Sequence, residues 1–180
     1  IIIKGGRFVP LSDHANGAEV FTGTLVIKGD RIDYIGEQEI VPQEHDEVID
    51  GRGKLYMPGL VNTHGHAAMT LLRGLKDDVT LQVWLQQHIW PTEAKMTAED
   101  VRVGAELAIV EMLKSGTTTF NDMYDHMDQV AEVVQAAGIR ACLNRGIIGL
   151  GSEEEWTAKL NESIDFAKRW NLQADGRITT

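Results

Sequence analysis

The chain has 180 residues, enough for one ordinary domain and too few for two large ones. Its 27 acidic residues against 17 basic ones leave a formal net charge of −10, which opposes binding along a phosphate backbone and argues against a nucleic-acid polymer as partner. Hydrophobic residues make up 43% and charged ones 24%, an ordinary globular balance, and no apolar run approaches the ~18 residues that span a bilayer, so no membrane partner is expected.

Residues 1–56 read as β structure. "IIIKGGRFVP" opens the chain as a short strand, with no signal-peptide pattern and no initial Met. "GTLVIKGDRIDYIGE" alternates apolar and polar residues around Gly29-Asp30, the mark of a two-residue turn between strands. "EVIDGRGKLYMPG" adds further short strands broken by glycine. The expected product is a small antiparallel sheet or half of a sandwich.

After Pro58-Gly59 the pattern changes to strands alternating with helices. "GLVNTH" is a short apolar strand, and Gly74 with the following "LKDD" reads as a mobile loop. Thr97 and Asp100 form a capping-box pair ahead of Val101, Ala105, Ala108, Ile109, Met112 and Leu113 at helical spacing, and Gly116 suits the C′ position. "TTTFND" is the next strand. A helix carrying Val130, Val133, Val134 and Ala137 follows, closed by Gly138. "IRACLNRG" is a third strand. Ser152 and Glu155 open a last helix whose apolar face is read as Trp156, Leu160, Ile164 and Ala167, and "DGRITT" reads as a fourth strand beginning.

Strand–helix alternation of this kind implies parallel strands with right-handed crossovers, in an open sheet or in part of a (β/α)8 barrel. No glycine-rich phosphate loop follows any strand, which removes the signature favouring the open nucleotide-binding sheet. A full barrel needs ~250 residues, so residues 57–180 suffice for three to four β/α units of one, truncated at the C-terminus. The single Cys142 excludes an intramolecular disulfide and suits a reducing, cytoplasmic setting.

The most informative stretch is "MPGLVNTHGHAAMTLLRG". In a strand residues i and i+2 share a face, so His64 and His66 can aim two imidazoles at one point if strand geometry persists through Gly65. Imidazole suits zinc and similar divalent ions, and the C-terminal end of a barrel strand is where such enzymes keep their chemistry. Taken alone, the pair is equally readable as two polar residues at a strand end, satisfied by water.

That stretch resembles the first-strand signature of the amidohydrolase superfamily, PG-apolar-apolar-[ND]-x-HxH. "LQVWLQQHIWPTE" and "MLKSGTTTFNDMY" resemble the branch of purine and triazine aminohydrolases, and within it the 5′-methylthioadenosine/S-adenosylhomocysteine deaminase family. The resemblance implies the N-terminal part of a metal-dependent (β/α)8 barrel preceded by a small β-sandwich segment, with His64 and His66 as metal ligands for Zn²⁺, Fe²⁺ or Mn²⁺. It implies hydrolytic deamination of an adenine nucleoside, releasing ammonia, and is compatible with a homo-oligomer. A third His, an Asp ligand and the proton-transfer groups would lie beyond Thr180, so no catalytic residue is assigned within the chain and the isolated 180 residues are expected to be inactive.

Three positions match substrate contacts in that family. Glu93 aligns with a carboxylate for the ribose hydroxyls, Trp84 with a pocket aromatic, and Arg145 with a residue facing the polar tail of the substrate. A second Arg for a homocysteine carboxylate is absent between Arg145 and Arg169, which leaves Lys159 as a less rigid substitute. His88 reads as a helix-surface or interface residue, and His126, beside Asp122 and Asp125, as a helix-start residue. The competing readings are a guanine-, cytosine- or triazine-type aminohydrolase or chlorohydrolase, and, from another class, a non-catalytic metal- or partner-binding fragment.

Overall fold

The computed structural model describes residues 1–11, 20–149 and 151–180. These form two compact units, Ile1–Pro58 and Gly59–Thr180. Among the described residues no helix is long and apolar enough to cross a membrane.

The first unit is a five-stranded sheet. Strands β1 (Ile2–Phe8), β2 (Phe21–Lys28) and β3 (Arg31–Gly36) are antiparallel neighbours, while β4 (Val48–Asp50) and β5 (Leu55–Tyr56) both pair parallel to β1. The β2–β3 turn falls at Gly29-Asp30 as the alternation requires, with Gly29 at φ +59°. A register shift in β1 between Lys4 and Gly6 changes the alternation so that Ile3 and Phe8, five residues apart, join Leu25 in one buried cluster, and the Phe8 ring stacks on Tyr56 with centroids 5.1 Å apart.

The second unit is a parallel sheet with strand order β6 (Leu60–Asn62), β7 (Thr117–Tyr124), β8 (Arg140–Arg145) and β9 (Ile178–Thr179). Spatial order follows chain order, so every crossover returns to the adjacent position. Helix α1 (Ala98–Lys114) links β6 to β7, α2 (Met127–Ala137) links β7 to β8, and α3 (Glu153–Trp170) precedes β9. Both expected capping boxes form. Thr97 Oγ1 accepts from the Asp100 N–H while Asp100 accepts from the Thr97 N–H, and Ser152 and Glu155 repeat the exchange at α3.

The core of this unit joins Val101, Ala105, Ala108 and Ile109 of α1 to Phe120 of β7, Val130 and Val134 of α2, and Leu143 of β8. Four expected apolar positions differ. Leu113 is 47% exposed, and on α3 it is Phe166 that enters the core, while Trp156, Leu160 and Ile164 stay 38–43% exposed. Phe166 belongs to the buried core cluster and those three do not, so periodicity indicates an amphipathic helix but not the side that is covered.

Two short elements carry no sequence signal of their own. A 3-10 helix, Ala67–Leu72, follows the histidine pair directly, and a π-helix, Trp84–Ile89, leads into an α-helical turn, Trp90–Glu93. The 3-10 helix packs against α1 at Gly104. A Cβ there would stand 2.5 Å from the Ala68 carbonyl oxygen, so only glycine permits the approach. Thr70 Oγ1 secures it, donating to the Gly104 carbonyl at 2.7 Å.

Candidate metal and substrate site

Pairing between β6 and β7 ends at Asn62, and His64 lies in a bend, so strand geometry does not persist through Gly65 as the i, i+2 argument requires. The two rings nevertheless converge, because contacts from elsewhere shape the loop. The His64 N–H donates to Asn62 Oδ1 at 3.3 Å, and Asn121 Nδ2 donates to the Thr63 carbonyl at 3.4 Å. His66 Nδ1 lies 2.8 Å from the Met123 carbonyl oxygen. A carbonyl can only accept, so Nδ1 carries the proton and Nε2 keeps its lone pair for a ligand.

The His64 and His66 ring centroids are 5.2 Å apart with planes at 83°. Two imidazoles each about 2.1 Å from one tetrahedral ion would have centroids about 5 Å apart, so the observed spacing fits two ligands of a shared metal. Among the described residues no group of three or more His, Cys, Asp or Glu that could hold a metal ion comes together. A cavity of about 520 Å³ reaches His66 along the Asn62, Thr70, Ala108 and Phe120 side of the sheet, and it includes neither Trp84, Glu93 nor Arg145.

Asp122 is the residue that sequence reasoning passed over. It is fully buried, and its Oδ1 accepts from the Ala67 N–H at 3.0 Å and the Met123 N–H at 2.9 Å. One carboxylate oxygen thus ties the backbone just after His66 to the residue whose carbonyl holds the His66 ring. Oδ2 is buried with no hydrogen-bond partner among the described residues. Burial pushes the Asp122 pKa up to about 6, against the opposing pull of the two N–H groups and of His66. The available signal was an acid inside a parallel strand, where both faces are normally covered.

Glu93 ends the helical turn after the π-helix and is half-buried. Its Oε1 accepts from the Tyr124 hydroxyl at 2.7 Å, and Tyr124 ends β7 with its ring centroid 6.5 Å from that of His66. Burial, then the bond to Glu93, pushes the Tyr124 pKa upward, so the phenol stays a donor. Tyr124 therefore bridges the histidine pair and Glu93. Trp84 opens the π-helix, half-buried, and no ring of the described residues stacks on it. His88, half-buried in the same π-helix, offers its carbonyl to Thr92 Oγ1 at 2.6 Å. His126 caps α2 in the left-handed conformation, φ 51°, consistent with a helix-start role.

Arg145 ends β8 directly beside Tyr124 in register, with its side chain 12% exposed. Its guanidinium is already engaged: Nη1 pairs with Asp125 and donates to the Gly146 carbonyl at 2.9 Å. Nε stands 3.2 Å from Glu162 Oε1, off the N–H axis, so that contact is a charge pair without a directed hydrogen bond.

With this geometry in view, the chain matches the amidohydrolase family model over residues 55–180. It is 48% identical over 180 residues to the 5′-deoxyadenosine deaminase of Methanosarcina acetivorans. It is 50% identical over 181 residues to the 5-methylthioadenosine/S-adenosylhomocysteine deaminase of Carboxydothermus hydrogenoformans. All of this chain aligns in each case, and it spans 41% of the length of each relative.

Among solved structures, an adenosine deaminase from Xanthomonas campestris with bound zinc is 34% identical, with a TM-score of 0.71 over 99% of this chain and 41% of that one. Escherichia coli guanine deaminase is 24% identical, with a TM-score of 0.81 over 98% of this chain and 45% of that one. A zinc-complexed atrazine chlorohydrolase from Arthrobacter aurescens is 20% identical, with a TM-score of 0.83 over 99% and 45%. The last two likenesses speak to the fold alone, that of part of a TIM-like amidohydrolase barrel with its preceding β segment. The family match covers the whole parallel unit, including the histidine pair and its buried aspartate, and the chain belongs to the amidohydrolase family.

Proposed function

We propose that these residues are the N-terminal part of a metal-dependent hydrolytic deaminase acting on an adenine nucleoside with a modified 5′ position, and that zinc is the ion used. The convergence of His64 and His66, with Nε2 of His66 left free by the Met123 carbonyl, is the observation that carries the reading. The names of the relatives, all deaminases of adenosine-type compounds, support the substrate class. Because the chain spans 41% of their length, the reaction belongs to the complete polypeptide.

A divalent ion held there would supply Lewis acidity to activate water for attack on the amine-bearing ring carbon. The chain's own residues bind and orient. His64 and His66 provide two ligands, fixed by Asn62, Met123 and Asp122. Glu93 has one oxygen pinned by Tyr124, which leaves Oε2 to accept from a ribose diol. Trp84 lines the nucleoside pocket from the π-helix, an irregularity frequent at functional sites.

The test is ammonia release by the full-length polypeptide from 5′-methylthioadenosine, 5′-deoxyadenosine, adenosine and guanine, with wild type and Glu93→Ala side by side. The reading expects turnover of the nucleosides and a loss on Glu93→Ala confined to them. Turnover of the free base alone, unaffected by Glu93→Ala, would favour a base or triazine aminohydrolase instead.

A further inference from the structure

The geometry points to Asp125 and Glu162 as specificity determinants that keep Arg145 occupied, so that the site takes nucleosides with an uncharged 5′ substituent in preference to those ending in a carboxylate, resting on the nucleoside reading proposed above.

Arg145 is placed to meet a substrate tail. In the β7–β8 register it sits opposite Tyr124, whose ring neighbours His66 and whose hydroxyl holds Glu93. It therefore lies on the same strand-end rim, one strand further from the histidine pair than Tyr124. A guanidinium has five N–H donors in a fixed fork, suited to a bidentate carboxylate. Here Nη1 and Nε are engaged within the chain, so each bidentate pair, Nη1 with Nη2 or Nε with Nη2, includes a nitrogen that already faces an acid. Asp125, just past β7, forms an ion pair with Nη1, which donates to the Gly146 carbonyl, and Glu162 of α3 faces Nε.

Two carboxylates against one guanidinium leave this cluster with a formal charge of −1. An incoming carboxylate would meet like charge and would have to displace Asp125 or Glu162 to reach a donor pair. A methylthio or deoxy 5′ group does neither. Both acids are more than half exposed, 60% for Asp125 and 53% for Glu162, so replacing either by its amide buries no new polar group. The selection then resides in their charge, and their shape is incidental.

The experiment measures kcat/KM of the full-length polypeptide, wild type and Asp125→Asn/Glu162→Gln, on three substrates. They are 5′-methylthioadenosine, S-adenosylhomocysteine and the carboxamide of the latter. Wild type should favour the methylthio compound. The double variant should raise the ratio of homocysteine to methylthio substrate by about tenfold or more, through KM, as a freed bidentate pair would. The carboxamide should gain nothing. Glu162→Gln alone, on an exposed helix face, should move the ratio the same way by less, and serves if the double variant folds poorly. A wild type that prefers S-adenosylhomocysteine, or a ratio that stays level or falls in both variants, overturns the inference. If methylthioadenosine is turned over and the ratio stays fixed, only this inference falls; if wild type deaminates neither nucleoside, the nucleoside reading falls and takes this one with it.

Discussion

The Tyr124 hydroxyl donates to Glu93 Oε1 at 2.7 Å, joining the end of one barrel strand to a helical turn 31 residues earlier in the chain. The acceptor is a carboxylate, and such charge-assisted bonds contribute about 1.5–3 kcal/mol. Tyr124→Phe should free Glu93 to rotate and weaken ribonucleosides by roughly tenfold in KM, with a much smaller effect on a 2′,3′-dideoxy analogue. Steady-state kinetics on the two substrates checks this, and an equal loss on both would mean that Tyr124 acts by packing alone.

Asp122 should matter to metal affinity without being a ligand. Asp122→Ala removes the acceptor shared by the Ala67 and Met123 N–H groups, so the loop bearing His66 loses its tie to β7. Losses at supporting positions of this kind run at about 10–100-fold in metal affinity. Competition against a chelating dye reads the change directly, and unaltered affinity would remove Asp122 from the site.

Gly104→Ala tests how the 3-10 helix is seated. The new methyl would meet the Ala68 carbonyl oxygen at 2.5 Å, and the 3-10 helix or α1 must shift. Overpacking of this size costs about 1–3 kcal/mol. Thermal unfolding should show a lower Tm, together with weaker metal binding, since Ala68 is two residues from His66.

In the first unit, Asp50 accepts from Arg52 Nε and Nη2 and from the Arg52 N–H, and these bonds, the side-chain ones foremost, hold its pKa down to about 2. A depressed carboxyl contributes stability that is present above its unfolded value near 3.8 and lost as pH falls through about 2. Carboxyl NMR titration should place the Asp50 midpoint near 2, and Arg52→Gln should return it toward the ordinary range.

What the sequence disclosed was local. Thr97 with Asp100 and Ser152 with Glu155 announce helix starts because the bonds they make lie within four residues. The i, i+2 argument from the HxH spacing needs strand geometry that the structure does not have: the two rings come together through a bend held by the carbonyl of Met123, 57 residues away, which no local pattern contains. Asp122 and Tyr124 were hidden for the same cause, since their partners Ala67 and Glu93 are brought close only by the parallel sheet and its crossovers. The π-helix at Trp84–Ile89 has a composition indistinguishable from an α-helix. The opposing carboxylates on Arg145 likewise come from two other elements, and spacing along β8 could not reveal them.

The most direct measurement is an anomalous-diffraction map of the full-length, zinc-replete polypeptide, read beside metal titrations of His64→Ala and His66→Ala. The account predicts a peak within about 2.1 Å of an imidazole nitrogen on each ring, with Nε2 of His66 facing it, and loss of tight binding in either variant. A map with no peak between the two rings, or undiminished zinc affinity in both variants, would contradict it.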